Sequence, residues 1–171
     1  MSSPRRGILK SMCGRYFLNA SLDEVAAAFG AHAVGDVGVL PRFNIAPGRP
    51  APVVRAAETG PEIVALDWGF ISPWEDAPKP INARGETAHE KPMFRDAFRH
   101  RRCIIPATGF YEWKTEGDAQ KQPFAAVRDG GTLFAMAGLW SPGHATDEAR
   151  GSFTILTCPA NARLRPLHER M

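Results

Sequence analysis

Apolar positions fall at helical spacing in two stretches of this chain and alternate, or run unbroken over short spans, in most others. Leu22, Val25, Ala26 and Phe29 keep one face of a helix, and the preceding Ser21-Leu-Asp-Glu24 has the form of a capping box. Gly30 is a C-terminal stop. A second helical pattern covers Thr87 to Arg99, interrupted near Pro92. Strands are predicted at Ala51 to Ala56 and Glu62 to Trp68, turned at Gly60-Pro61, then at Cys103 to Pro106, Phe110 to Lys114 and Phe153 to Thr157. Pro123 to Arg128 and Leu133 to Leu139 read as a hairpin over Asp129-Gly130-Gly131. Ile81 to Arg84 reads as a short extended piece, Pro41 to Pro52 as a loop around Asn44 to Gly48, and Pro159 to Met171 as a helix or loop. Helices do not alternate with strands, which argues against a doubly wound parallel sheet. The pattern is that of an α+β chain, mostly antiparallel β with a few short helices.

Length and composition narrow this only slightly. The 171 residues, 44% hydrophobic and 23% charged, suit one soluble globular domain. No apolar run approaches a membrane span, and Arg5, Arg6 and Lys10 are followed by no apolar signal region. The expected location is the cytoplasm. Cys13, Cys103 and Cys158 are odd in number and far apart, so reduced thiols are expected rather than disulfides or a metal site. The net charge of +3 comes from Arg5, Arg6 and Lys10; from Met12 onward acids and bases balance. Bulk charge therefore argues little for nucleic-acid binding, which would need arginines placed locally.

Four places could carry chemistry. In Met12-Cys13-Gly14-Arg15-Tyr16, removal of Met12 would make Cys13 a 1,2-aminothiol. Such a group condenses with an aldehyde to a five-membered thiazolidine, which an internal cysteine, with an amide nitrogen, cannot do. Asn82 and Arg84 alternate onto one strand face, where an amide and a guanidinium suit a sugar hydroxyl and a phosphate. Glu112 sits among Phe110, Tyr111 and Trp113; burial there would raise its pKa toward the range of general acid–base work. His168 is a proton shuttle near neutral pH. The plain alternatives are a buried Cys13, a capped turn at Asn82 to Glu86, a solvent-facing Glu112 and a surface His168. Trp68, Trp74, Trp113 and Trp140 are most simply core residues, and any that is exposed could stack on unpaired bases. No zinc or phosphate-loop motif is present, and no cofactor is expected.

Taken in order, Met-Cys-Gly-Arg-Tyr (12–16), Asn-Ile-Ala-Pro-Gly (44–48), Trp-Gly-Phe (68–70), Ile-Asn-Ala-Arg-Gly-Glu-Thr (81–87), Arg-Arg-Cys-Ile-Ile-Pro-Ala (101–107), Gly-Phe-Tyr-Glu-Trp (109–113), Ala-Gly-Leu-Trp (137–140) and His-Glu-Arg-Met (168–171) resemble the SOS response-associated peptidase family. The resemblance implies a barrel-like fold and a monomeric sensor of abasic sites in single-stranded DNA, associated with the nucleoid during repair and without membrane or cofactor. It implies covalent linkage to the ring-opened sugar through Cys13, orientation by Asn82, acid–base chemistry by Glu112 and assistance from His168. Arg15, Arg84, Arg170 and Asn44 would contact DNA, and Trp68 or its neighbours would offer a stacking surface. The peptidase name is read as self-processing that exposes the cysteine.

Two departures from the family pattern shape the expectation. Residues 1–11 precede Met12 and would block the Cys13 amine, so the functional start is placed at Met12 and the domain at 12–171. Family members continue past the His-x-Arg-Met segment, so a C-terminal truncation is expected. Two rival readings stand beside this one: a glutaminase-like amidohydrolase with an N-terminal nucleophile, and a non-covalent single-strand binder or inactive remnant.

Overall fold

Ser21 and Glu24 start the first helix as their spacing predicts. The Ser21 hydroxyl accepts the Glu24 N–H at 3.2 Å, and the Glu24 carboxylate accepts the Ser21 N–H at 2.7 Å. Two donors that the helix cannot pair itself are thereby satisfied. Gly30, at φ 58°, closes the helix in the left-handed region that a residue with a β-carbon resists.

A computed structural model describes residues 14–74, 77–114, 122–142 and 150–171. The leader at 1–11, Met12 and Cys13 lie outside the described residues. The elements are β1 (Arg15–Leu18), α1 (Leu22–Phe29), β2 (His32–Ala33), β3 (Arg42–Ile45), β4 (Pro50–Ala57), β5 (Gly60–Trp68), β6 (Asn82–Arg84), α2 (Gly85–Ala88), α3 (Pro92–His100), β7 (Arg102–Ala107), β8 (Gly109–Lys114), β9 (Gln122–Val127), β10 (Phe134–Ser141) and β11 (Ser152–Thr157).

Five strands close on themselves in the order β5-β4-β7-β10-β11. β11 returns to β5 in a parallel pairing, Phe153 opposite Trp68. β2 extends this sheet beside β5, and β6 extends it beside β11. A second, four-stranded sheet runs β3-β1-β8-β9. One core joins the two: Tyr16 and Leu18 of β1 share a cluster with Val53, Ile63, Ile105, Phe153 and Ile155, all buried. Each such side chain contributes about 1.5–3 kcal/mol when fully buried. Phe94 and Ala97 of α3 pack with Phe70, Ala83, Ala88 and Leu139 in a smaller cluster.

The expected hairpin over Asp129-Gly130-Gly131 does not form. β9 pairs with β8 in the four-stranded sheet, Glu112 opposite Phe124, while β10 pairs with β7 and β11 in the barrel. The glycines serve a 3-10 turn, with Gly130 at φ 72°, through which the chain passes from one sheet to the other. The stretch read as a loop from Pro41 also contains a strand, β3, entered through a cis Leu40–Pro41 bond.

Burial separates the two described cysteines. Cys103 is buried in β7, and loss of hydration pushes its thiol from 9.0 up to about 12, opposed by the Arg55 guanidinium. Cys158 is exposed. Iodoacetamide at pH 8 should therefore alkylate Cys158 and spare Cys103, as peptide mass mapping would show. Because the folded-state value lies above the ordinary one, this thiol supports folding below pH 9 and loses that contribution as pH rises toward 12.

Candidate functional site

β1 begins at Arg15, two residues after Cys13 in the sequence, and its pairings set the neighbours of Arg15 and Tyr16. Antiparallel pairing places Arg15 opposite Tyr111 and Tyr16 opposite Phe110 on one side, and Tyr16 opposite Ile45 on the other. Glu112 is the next residue along β8 and is 4% exposed. Of the two readings from sequence, the buried carboxyl is the one observed, and the Glu facing water is not. Arg15 donates to the Asn44 side-chain oxygen at 2.8 Å, so two residues expected to contact DNA meet on the sheet surface. Trp113 and Phe43 stand exposed on β8 and β3, and Trp74 is exposed beyond β5.

A second group forms at the edge strand β6. Asn82 is half-buried opposite Ile155, and Arg84 is exposed opposite Thr157. Alternation spaces them as expected, with buried Ala83 between. The final segment folds against this edge. Asn161 accepts the N–H groups of Arg163 and Leu164, each at 3.0 Å, and starts a turn that ends with the His168 N–H on the Leu164 carbonyl. His168 is half-buried, and its Nδ1 accepts the Arg170 N–H at 3.1 Å. An Nδ1 that accepts leaves Nε2 as the protonated nitrogen of the neutral ring.

Arg170 ties this corner together. Its guanidinium makes a bidentate pair with Glu86 at 2.9 and 2.7 Å and donates to the Thr157 carbonyl at 2.7 Å and hydroxyl at 3.2 Å. The arginine expected to bind phosphate therefore has four of its five N–H donors directed at the protein itself. Its hydrogen bonds hold the Glu86 carboxyl below the usual range. A lowered carboxylate supports the fold above its ordinary value of 4.5 and loses that support as pH falls. Glu86→Gln should speed hydrogen exchange at the paired Cys158 and Met171 amides while core amides stay protected; unchanged exchange at those two amides contradicts the tether.

Trp68 corrects an expectation. It is 1% exposed and cannot stack on a base. Instead it connects the two groups. Its ring meets Tyr16 edge-on at 5.3 Å and lies parallel to Phe153 at 6.2 Å. Its indole N–H donates to the Ile81 carbonyl at 2.8 Å, and the Ile155 N–H occupies the same oxygen at 3.0 Å. The peptide unit immediately before Asn82 is thus fixed from two sides. Its backbone also holds the segment after Asn44, through Gly48 N–H to Trp68 carbonyl at 2.8 Å. The exposed tryptophans are instead Trp74, at 51%, and Trp113, at 38%.

Sequence reasoning missed Thr157 and Asn161, whose contacts depend on long-range folding and a turn with no distinctive signature. A cleft of about 210 Å³ between residues 70–73, α3 and 141–142 holds none of the expected site residues. Among the described residues, no three His, Cys, Asp or Glu side chains are grouped to hold a metal, and no helix is long and apolar enough to cross a membrane.

The closed barrel, the added four-stranded sheet and this polar set define a class of protein rather than an isolated arrangement. The family model for the SOS response associated peptidase (SRAP) matches residues 12–171, and the chain belongs to that family. It is 35% identical over 167 residues to the abasic site processing protein YoqW of Bacillus subtilis (strain 168), covering 94% of this chain and 74% of the relative. It is 35% identical over 164 residues to the abasic site processing protein YedK of Escherichia coli (strain K12), covering 93% and 73%. A solved structure from Bacteroides thetaiotaomicron superposes with a TM-score of 0.79 at 27% identity, over 93% of this chain and 75% of that one. One from Bordetella bronchiseptica gives 0.76 at 27% identity, over 93% and 82%.

Proposed function

We propose that this chain processes abasic sites in single-stranded DNA and, once Cys13 is its first residue, links covalently to them. The observation that carries the reading is the position of Glu112: a buried carboxyl, on the strand paired with β1, beside the point where the chain emerges toward Cys13. Membership of a family whose relatives include abasic site processing proteins supports the substrate.

The chemistry follows from the aminothiol. An α-amine has a reference pKa of about 7.7–8.0, so a useful fraction is neutral at pH 7. The Cys13 nitrogen attacks the aldehyde carbon of the ring-opened sugar, and the carbinolamine loses water to give an imine. The thiol sulfur then adds to the imine carbon, its proton passes to nitrogen, and the thiazolidine closes. The sum is aldehyde plus aminothiol giving thiazolidine plus one water. Glu112 donates the proton that the departing hydroxyl needs, and His168 serves ring opening through Nε2. Asn82 orients the sugar, Arg84 takes a flanking phosphate, and the Arg15–Asn44 pair contacts the strand. Trp74 and Trp113 supply base-stacking surfaces. Ring closure removes the iminium electron sink, which suppresses strand cleavage by β-elimination. The peptidase activity in this reading is self-processing that bares the Cys13 amine, and the acting unit is a monomer.

The test is a denaturing gel of the chain beginning at Cys13 with an oligonucleotide bearing one abasic site. A stable adduct should form with that strand and not with the undamaged one. Glu112→Gln should slow its appearance by about 10²-fold or more. An adduct formed at the wild-type rate would remove Glu112 from its role.

A further inference from the structure

We propose that the solvent face of α3 is a second DNA contact, in which Lys91, Arg95 and Arg99 follow the phosphate backbone of the strand beyond the candidate site. The proposal rests on the DNA-processing reading above and extends it to a surface that the site does not use.

The stripe follows from helix periodicity. Residues 91, 95 and 99 are successive i, i+4 positions, so their side chains fall on one side of the helix within an arc of about 80° and span about 12 Å. The opposite face holds buried Phe94 and Ala97, which do the packing. All three cations are exposed, and none has an ion-pair partner among the described residues. Of the nearby acids, Asp96 pairs with Arg101 and Glu86 with Arg170, while Glu90 lies 3.3 Å from His89, a pair that is ionic only when the imidazole is protonated.

The helix itself gains little from this arrangement. Like charges at i, i+4 oppose each other. Arg99 in the last turn suits the helix dipole, but Lys91 stands at the N-cap, where the dipole is positive and a cation is disfavoured. Three uncompensated cations in a row fit a polyanion. From Met12 onward the chain is neutral overall, so this is a local concentration of charge and not a reflection of bulk composition. Placement favours a DNA strand. Exposed Arg84 caps α2, and Lys91 caps the next helix, α3, which contacts α2. The stripe thus begins one short helix away from the residue read as gripping the phosphate beside the abasic sugar.

The experiment measures non-covalent affinity of the full chain, with Cys13→Ala throughout, for an undamaged single-stranded oligonucleotide between 50 and 200 mM salt. Arg95→Gln/Arg99→Gln is compared with Arg128→Gln/Arg150→Gln, an equal loss of charge at exposed sites elsewhere. Two phosphate contacts account for about 1.4 units of slope in log K against log salt. Across that range the stripe variant should lose about sevenfold less affinity than its parent, with the control close to the parent. Arg95→Lys/Arg99→Lys should retain the parent slope. An unchanged slope, or an equal change in the control, overturns the proposal. Because no adduct is involved, failure of the covalent reading shows separately, as a missing adduct on abasic DNA with the slope difference intact.

Discussion

Cys13→Ala, in a chain that begins at residue 13, is expected to abolish the denaturation-resistant adduct without abolishing contact with the aldehyde. The variant keeps a free α-amine, so imine formation remains possible. What it lacks is the sulfur that closes the ring, and an open imine hydrolyses back to amine and aldehyde. Borohydride should therefore trap a bond in the variant that heating in denaturant destroys, whereas the parent needs no reductant. The same logic predicts more strand cleavage by the variant, since an iminium left open favours β-elimination. Gel analysis with and without reductant separates the cases. A heat-stable adduct from Cys13→Ala without reductant would show that the sulfur has no part in the link.

The second large effect concerns Trp68. It is nearly enclosed, and it lies where β1, β5 and the entry to β6 meet. Trp68→Ala should cost about 3–5 kcal/mol, because the lost burial is compounded by a cavity in a close-packed wall. Against a total of about 5–15 kcal/mol for a domain, that approaches unfolding. Trp68→Phe is the more informative change. It retains an aromatic body against Tyr16 and Phe153 and deletes only the N–H that holds the Ile81 carbonyl. A net loss of about 0.5–1.5 kcal/mol is expected, since Ile155 still occupies that oxygen. If the carbonyl positions Asn82, the adduct rate should fall by up to about tenfold while the fold survives. Thermal denaturation and single-turnover kinetics measure the two effects. An unaltered melting temperature for Trp68→Ala contradicts the core assignment, and an unaltered rate for Trp68→Phe contradicts positioning.

Legibility in the sequence followed the range of the interactions. The first helix was readable because its capping box and glycine stop are local, and the β4–β5 hairpin because its alternation and turn are adjacent. β1 and β3 escaped notice because each is short, and because β3 lies among Pro, Gly and Asn that signal a loop. The false hairpin had the right turn residues and the wrong partners. Asp129-Gly130-Gly131 favours reversal, but β9 is claimed by β8 and β10 by β7. Turn chemistry cannot report which sheet a strand joins.

The site divides in the same way. Residue chemistry pointed to Cys13, Asn82, Arg84, Glu112 and His168; Asn82 and Arg84 share the edge strand of the barrel sheet, and the segment of His168 is tied to the same corner through Arg170 and Glu86. The burial of Glu112 was not readable from its aromatic strand, whereas Trp68 is the core residue that a tryptophan most simply is. Arg170 and Glu86, far apart in sequence, met only through the fold. Arg170's charge was visible, but its occupied donors were not.

The central claim is that Cys13 acts through its amine as well as its sulfur. It is tested most directly by comparing chain 13–171 with chain 1–171, kept uncleaved, on the same abasic single-stranded DNA, followed by intact mass analysis. The account predicts an adduct from the first, one water lighter than protein plus DNA, and none from the second. An equal, heat-stable adduct from the chain with its leader still attached contradicts the account.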